Sequence, residues 1–210
     1  MKERNKMNKY TGIVCALAAL SGIVHADMIS ISGDSSTSIS ETGSAFNGLM
    51  DYSFSGGESG VLTISLTNTT EASIGGFLTG FVFNMHSSDD SASIALSSAS
   101  NVSFLDTGVE SASPFGMYDS GAALGANWTG GGSPSFGIGT GESATFDFTI
   151  FASDASSLTA SSFITTDNDF AVRFRGLNNG GSDKLTTTPA PSAAALLAMS
   201  GLIAGRRRRS

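Results

Sequence analysis

A two-residue alternation of aliphatic and hydroxyl side chains in residues 61–67 limits the possible folds of this chain more than any other feature. The sequence there is VLTISLT. Because successive side chains of a β-strand point to opposite faces, Leu62, Ile64 and Leu66 share one face. A strand that is apolar on one face only is typical of an antiparallel sheet with one side against the core. Residues 61–67 therefore predict such a strand.

A second strand is predicted over residues 77–83, where both faces are largely apolar. Phe77, Thr79, Phe81 and Phe83 would lie on one face, with Leu78 and Val82 on the other. Gly80 would allow a bend or a close neighbour. We therefore expect a central strand that is buried on both sides.

Further strands are predicted by the same alternation in the rest of the chain: residues 27–32, Ile94 with Leu96, Val102 with Phe104, residues 144–150 and residues 170–175. Between Asp27 and Thr188 no amphipathic helical pattern is found. Seven or eight strands separated by turns predict an all-β fold, an antiparallel β-sandwich with a phenylalanine-rich core. The residues expected in that core are Leu62, Ile64, Leu66, Phe146, Phe148, Phe170, Val172 and Phe174.

Residues 106–141 interrupt this pattern with ten glycines and two prolines. A stretch of this length is either a functional loop or a set of short edge strands joined by turns. It contains Tyr118 and Trp128, the only tryptophan. If exposed, these two aromatic rings could face a ligand and stack on sugar rings; the alternative is that they pack in the core.

Acidic clusters at residues 89–90, 167–169 and 178–183 raise the question of a metal site. Their oxygens could bind Ca²⁺, but none has EF-hand spacing. Asx turns explain the same residues without an ion, because Asn and Asp side chains bond the nearby backbone. We therefore predict no metal, no cofactor and no requirement for calcium in folding.

The charge of the chain is unevenly distributed. Eight of the eleven basic residues lie near the two ends, which leaves Arg173, Arg175 and Lys184 against seventeen carboxylates in the body, a net charge of about −14. A surface of this sign repels phosphate backbones. The body is therefore not expected to bind nucleic acid.

Common catalytic groups are scarce. Cys15 is the only cysteine and lies within the apolar stretch near the N-terminus, while His86 is the only histidine outside residues 1–26. No Gly-x-Ser-x-Gly motif accompanies that histidine. We expect His86 to be a solvated loop residue and the protein not to be an enzyme.

The N-terminal residues have the order of a secretory signal peptide. Four basic residues within positions 1–9 precede an apolar stretch at 13–24, and Val24-His25-Ala26 has the character of a cleavage site. We expect signal peptidase to cleave after Ala26, so that residues 1–26 are removed. Retention of the apolar stretch as a membrane anchor is the alternative.

The C-terminal residues combine a proline pair, an apolar run and a basic cluster. Pro189, Ala190 and Pro191 precede thirteen uncharged residues at 193–205, and the chain ends in Arg206, Arg207, Arg208, Arg209 and Ser210. As a helix the run would reach roughly 20 Å, shorter than the roughly 30 Å core of a bilayer. It predicts a short transmembrane helix whose arginines stay on the cytoplasmic side.

This three-part order resembles the PEP-CTERM sorting signal of Gram-negative bacteria, which exosortase-type membrane proteases cleave. Ala190 stands where the family usually has glutamate. The resemblance implies that residues 189–210 are a sorting tail, and that the protein is held briefly in the inner membrane before reaching the cell envelope or the extracellular space. An ordinary C-terminal tail anchor is the alternative.

Three strand sequences, VLTISLTNTT, GESATFDFTI and FAVRFRG, resemble bodies that accompany such tails and, more loosely, cohesin or carbohydrate-binding-module sandwiches. We expect one sandwich domain at residues 27–188, of this kind or a jelly roll. The leading functional hypothesis is a structural or adhesive envelope or matrix protein, with extracellular polysaccharide as a possible partner. A carbohydrate-binding module is the alternative, and an enzyme of unknown class is a weaker one.

Overall fold

The predicted strands form two antiparallel sheets in the computed structural model, which describes residues 27–189. The strands are β1 (Asp27–Gly33), β2 (Phe46–Gly56), β3 (Ser59–Asn68), β4 (Gly75–Phe83), β5 (Ser93–Ala99), β6 (Phe104–Asp106), β7 (Glu110–Ser111), β8 (Met117–Tyr118), β9 (Ser120–Leu124), β10 (Ser143–Phe151), β11 (Phe170–Leu177), β12 (Ser182–Thr186) and β13 (Thr188–Pro189). Helical structure in these residues is limited to four 3₁₀ turns: Ser35–Thr37, Pro134–Phe136, Ala155–Ser157 and Ala160–Phe163.

Each of the two large sheets has a defined strand order. The first sheet runs β13-β1-β2-β3-β10-β5 and the second runs β12-β11-β4-β9-β6. A separate two-stranded ribbon joins β7 to β8. Neighbouring strands pair antiparallel throughout the described residues. The all-β prediction is therefore confirmed.

A phenylalanine-rich core lies between the two sheets. Phe81 of the second sheet meets Phe146 of the first with ring centroids 4.8 Å apart, and Phe83 meets Phe148 at 4.9 Å, both edge to face. Such pairs add to the stabilisation that comes from burial alone. All eight residues that the alternation places in the core are buried: Leu62, Ile64, Leu66, Phe146, Phe148, Phe170, Val172 and Phe174. The core prediction is confirmed.

Strand β4 is central, as expected, but its face assignment needs a correction. Arg173 pairs with Gly80 while Phe174 pairs with Leu78, so Thr79 is an extra residue in a β-bulge. The bulge places Leu78 in the main core with Phe81, on the opposite side from Val82. Gly80 does provide a close approach, because a Cβ there would lie 2.9 Å from that of Ala123.

Two other local predictions differ from the structure. Val102 was expected in a strand with Phe104, but β6 begins at Phe104 and the Val102 side chain is 86% exposed in the preceding turn. Strand β9 lies within residues 106–141, between β4 and β6, and its five residues are buried. The stretch therefore contains an interior strand as well as the short β7–β8 ribbon.

The last described strand pairs with the first one. In β13, Thr188 lies opposite Ser32 and Pro189 lies opposite Ile31 of β1. A proline is tolerated on an edge strand because that position requires no ladder donor on its open side. Pro189, assigned to the tail by sequence, is thus paired in the sheet and is the last of the described residues. The predictions for Ala26, Ala190, Pro191 and Arg206 to Arg209 lie outside the described residues, and no helix within 27–189 is suited to spanning a membrane.

Candidate functional site

The outer face of the second sheet is covered by the glycine-rich segment. Val82 of β4 and Ala171 of β11 point away from the main core and pack with Ala112, Tyr118 and Trp128 in a second, smaller cluster. We call this group the outer cluster. It explains why β4 is apolar on both faces: one side contacts the main core and the other contacts this cover.

Burial in the outer cluster corrects the expectation that Tyr118 and Trp128 face a ligand. Each side chain is only 1% exposed. The indole Nε1 of Trp128 donates to the carbonyl of Ser113 at 3.2 Å. Burial, followed by the charge of Asp169, raises the pKa of Tyr118 to about 12, so its hydroxyl stays neutral. The alternative, core packing, is the arrangement observed.

Three cations hold this cover in place. Arg173 donates from Nη1 to the carbonyl of Trp128 at 2.8 Å, and Lys184 donates from Nζ to the carbonyl of Ser113. Arg175 makes longer contacts, 3.5 Å to the carbonyl of Gly131 and 3.3 Å to that of Gly132. All three basic residues of the body thus contact main-chain carbonyls of one segment.

The same three cations form a like-charged group, which we call the basic cluster: Arg173, Arg175 and Lys184. Arg173 and Lys184 are cross-strand partners on β11 and β12. Burial lowers the pKa of Arg173, with a further contribution from Arg175, and burial followed by the charge of Arg173 lowers the pKa of Lys184. Within residues 27–189, no carboxylate lies within the 4.0 Å ion-pair distance of these cations.

A shallow groove opens beside the basic cluster, with a volume of about 370 Å³. It is lined by Arg173, Arg175 and Gly176 of β11, by Pro134, and by residues 180–182. Nε of Arg173 is buried without a hydrogen-bond partner among the described residues. Sequence spacing alone shows Arg173 and Arg175 on one strand face, but it does not show the groove.

His86 is an exposed loop residue, as the sequence predicts, but its ring also contacts two polar side chains. Its side chain is 48% exposed, but its Nε2 lies 3.0 Å from Oδ2 of Asp169 and 3.0 Å from Oγ1 of Thr165. A catalytic triad would use both ring nitrogens, one toward the nucleophile and one toward the carboxylate. Here both contacts are to Nε2, so the group lacks the geometry of a triad.

Asp169 is the centre of that polar group. Burial raises the pKa of its carboxyl, but hydrogen bonds from the Thr165 hydroxyl, the Thr166 N–H and the Asn84 amide together outweigh burial and hold the pKa well below its usual range. The ionised carboxylate connects the segment after β4 with the turn before β11. This is a structural role for a residue that the sequence offered as a possible calcium ligand.

The other acidic clusters are also engaged by hydrogen bonds. Oδ1 of Asp89 accepts from the N–H of Ser91 at 2.9 Å, and Oδ1 of Asn179 accepts from the N–H of Gly181 at 2.8 Å. These are the Asx turns proposed as the alternative to an ion. Asp183 is different, because it is buried in β12 and accepts from the hydroxyls of Ser38 and Thr42. Among residues 27–189, no group of three or more potential metal ligands is found.

The outer face of the first sheet carries pairs of hydroxyl residues instead of a cover. Across β3 and β10, Ser65 lies 3.1 Å from Thr145, and Thr67 lies 2.7 Å from Ser143, oxygen to oxygen. One row further, the Thr63 hydroxyl donates to Asp147 at 2.8 Å. The polar side chains on this face therefore already form some of their hydrogen bonds with one another.

These features define the described chain as an antiparallel all-β sandwich with one polar outer face and one covered outer face. Of its surfaces, the groove at the basic cluster has the chemistry to bind an anion. No protein family, curated protein or solved structure matches the chain.

Proposed function

We propose that the chain is an exported structural or adhesive protein of the cell envelope or extracellular matrix, sorted through its C-terminal tail. The observation that carries the proposal is the order of Pro189 to Pro191, the apolar run and the arginine cluster at the end of the sequence. The proposal assigns no catalytic activity to the chain. The body would be a sandwich of the jelly-roll, cohesin or carbohydrate-binding-module type.

Sorting would proceed in a fixed order. Signal peptidase cleaves after Ala26, the body folds outside the inner membrane, and the apolar run with its arginines holds the chain there until an exosortase-type protease cuts near Pro191. Prolines disfavour helix at and before their own positions, which favours an extended segment that a protease can grip.

The surface of the body supports an extracellular structural role. Its net charge of about −14 favours solubility, and its polar first-sheet face exposes hydroxyl groups. Carbohydrate binding through Tyr118 and Trp128 is not favoured, because both rings are buried. An extracellular polysaccharide remains the proposed partner through another surface.

Intact-mass spectrometry of the protein from its native host tests the sorting proposal. We expect a mass that lacks residues 1–26 and everything from the apolar run onward, and we expect the full tail in a strain without the exosortase. Changing all four terminal arginines to serine should leave unprocessed, mislocalised chain, while the matched change to lysine preserves the charge and should preserve processing. Ala190→Glu introduces the usual family residue and should be processed at least as completely.

Recovery of an intact C-terminus in the inner membrane of a strain that has the exosortase would overturn the proposal. In that case the tail-anchor alternative would take its place. Ala190 would then be the first residue to examine, since Ala190→Glu would distinguish a faulty motif from a true anchor.

A further inference from the structure

The basic cluster is unusual because of where the charges lie. An acidic body has only three cations, and all three lie on one outer face and contact carbonyl oxygens instead of carboxylates. Like charges gathered on one face repel one another, and partial burial strengthens that repulsion. A bound anion would relieve the repulsion, because it would supply the counter-charge that the described chain lacks at this place.

Arg175 also keeps hydrogen-bond donors available at the groove. A guanidinium has five N–H donors in a planar fork that matches a carboxylate. Arg175 uses two nitrogens in bonds of 3.3 and 3.5 Å, at the weak end of the hydrogen-bond range, and Arg173 leaves Nε without a partner. Because the Arg173 Nε is buried, a ligand in the open groove would not reach it, and Arg173 contributes its charge there.

The rest of the groove suits a sugar better than a peptide side chain. Ser182 offers an exposed hydroxyl, Pro134 offers an apolar ring for C–H contacts, and a Cβ at Gly180 would project into open space. A volume of about 370 Å³ lies at the lower end of small-molecule sites and has room for one or two sugar rings. Within this groove there is no deep apolar pocket that would hold a peptide anchor.

We propose that the groove formed by Arg173, Arg175 and Ser182 binds the carboxylate and hydroxyls of an acidic sugar residue. Arg175 would hold the carboxylate through its fork, Arg173 would supply the second charge, and Ser182 would bond a ring hydroxyl. The site deepens the adhesive function by naming a ligand class. It rests on the folded body and not on the sorting tail.

The net charge of the body further limits the class of acidic glycan that could bind. Seventeen carboxylates outside the basic cluster repel a polymer that carries a charge on every residue. Screening at physiological ionic strength acts beyond about 8 Å, so one local contact is less affected. The groove therefore fits a glycan with sparse acidic residues better than a uniformly charged polyuronate.

Saturation-transfer NMR with the exported protein tests this inference, with glucuronate as the probe and glucose as its neutral match. We expect glucuronate to bind and glucose not to bind, and we expect the glucuronate dissociation constant to rise with salt. Arg175→Gln should weaken binding at least tenfold. Lys184→Gln removes one charge from the same cluster without lining the groove, and it should change the dissociation constant by less than about threefold.

A second variant covers the case in which Arg175→Gln fails to fold. Ser182→Tyr keeps every charge but fills the groove from an exposed position, and it should also abolish binding. Equal weakening by Arg175→Gln and Lys184→Gln would mean diffuse attraction and would overturn the proposal. Equal binding of inorganic sulfate and glucuronate would also overturn it, because the sugar hydroxyls would then contribute nothing.

Self-association is the remaining outcome to distinguish. If sedimentation shows concentration-dependent dimers that Arg175→Gln abolishes, the groove binds an acidic surface of a second copy and the sugar proposal fails. The intact mass of Arg175→Gln separates this inference from the sorting proposal. If the variant is processed normally but does not bind glucuronate, the sorting proposal is unaffected by the loss of binding. If the wild-type protein binds glucuronate but keeps its tail, the sorting proposal fails and the binding proposal stands.

Discussion

The two outer faces of the sandwich differ although the same alternation produces both. On the first sheet, Ser65 and Thr145 face outward and bond each other beside water. On the second sheet, Val82 and Ala171 face outward and require a cover, which the glycine-rich segment provides through Trp128. The comparison shows that a period-two pattern fixes which side chains point inward, while the residues between them determine whether anything packs on the outside.

The cover also changes the electrostatics of its sheet. The covered face holds all three cations of the body, and they bond carbonyls of the covering segment. The open face carries hydroxyls and the carboxylate of Asp147. A segment rich in glycine exposes many carbonyls, because it has few side chains to shield them, so cations are suitable partners for it.

The largest expected effect is in the main core, which both sheets share. Phe148→Ala should lower the free energy of unfolding by about 3–5 kcal/mol, because it removes a ring packed edge to face against Phe83 and leaves a cavity. Urea denaturation measures the change. Thr149→Ala, on the outer face of the same strand, is the control and should cost less than about 1 kcal/mol. A loss below about 1 kcal/mol for Phe148→Ala would contradict the core assignment.

The next largest loss of stability is expected in the cover, and it tests whether the cover can open independently of the two sheets. Trp128→Ala should cost about 2–3 kcal/mol, less than the main-core change, because the cover can open while the two sheets stay packed. Hydrogen exchange should show faster exchange in residues 112–130 and little change in β3 and β10. Phe136→Ala, at an exposed ring of the same segment, is the control. Uniformly faster exchange across both sheets would show that the cover is part of the main cooperative unit.

A smaller effect is expected at Asp169, at one end of the covered sheet. The pKa of Asp169 is lowered in the folded state, so its contribution to stability is complete above the unfolded value of about 3.9 and is lost as pH falls below that value. Asp169→Asn should therefore lower the free energy of unfolding by about 1–3 kcal/mol at pH 7. The variant should also lose less stability than the wild type as the pH falls below about 4.

Thermal unfolding across pH 2–7 measures this effect. Asp167→Asn, two residues away and exposed, is the matched control and should retain the wild-type acid dependence. An Asp169→Asn variant with an unchanged pH profile would mean that the hydrogen bonds from Thr165 and Thr166 do not stabilise the ionised form.

The smallest effect is expected on the open face. Ser65→Ala should change the free energy of unfolding by no more than about 0.5 kcal/mol, since the remaining hydroxyl of Thr145 can form a hydrogen bond with water instead. Urea denaturation of Ser65→Ala and of the Ser65→Ala, Thr145→Ala pair measures it. A loss above about 1.5 kcal/mol would show that the hydroxyl pairs hold the sheet together, and the contrast with the covered face would weaken.

Residues with a strong period-two signal could be placed from sequence alone. Leu62, Phe148 and Phe174 are buried as predicted, because large apolar side chains alternate with polar ones around them. Strand β9 gave no such signal, since its alanines and glycine carry little hydrophobic contrast. The bulge at Thr79 was also missed, because one extra residue reverses the faces without changing composition.

The contacts that form the candidate site are harder to predict from sequence than the core. His86 and Asp169 lie 83 positions apart, and only the pairing of β4 with β11 brings their segments together. The sequence leaves two alternatives for Trp128, because a single aromatic residue has no periodic context. The sequence shows Arg173 and Arg175 as a pair, but the groove also needs Ser182 of the next strand and Pro134 from a distant segment.

The pairing of β1 with β13 has a consequence for the time at which the fold is completed. A ribosome makes β1 first and β13 last, so the edge at Ile31 stays without its partner until nearly the whole described chain exists. Contacts so distant in sequence form slowly, and an unpaired strand edge can recruit other chains. A chain that ended before Thr188 would keep that edge open to pairing with other chains. Completion of this sheet edge is thus coupled to the synthesis of Thr188 and Pro189.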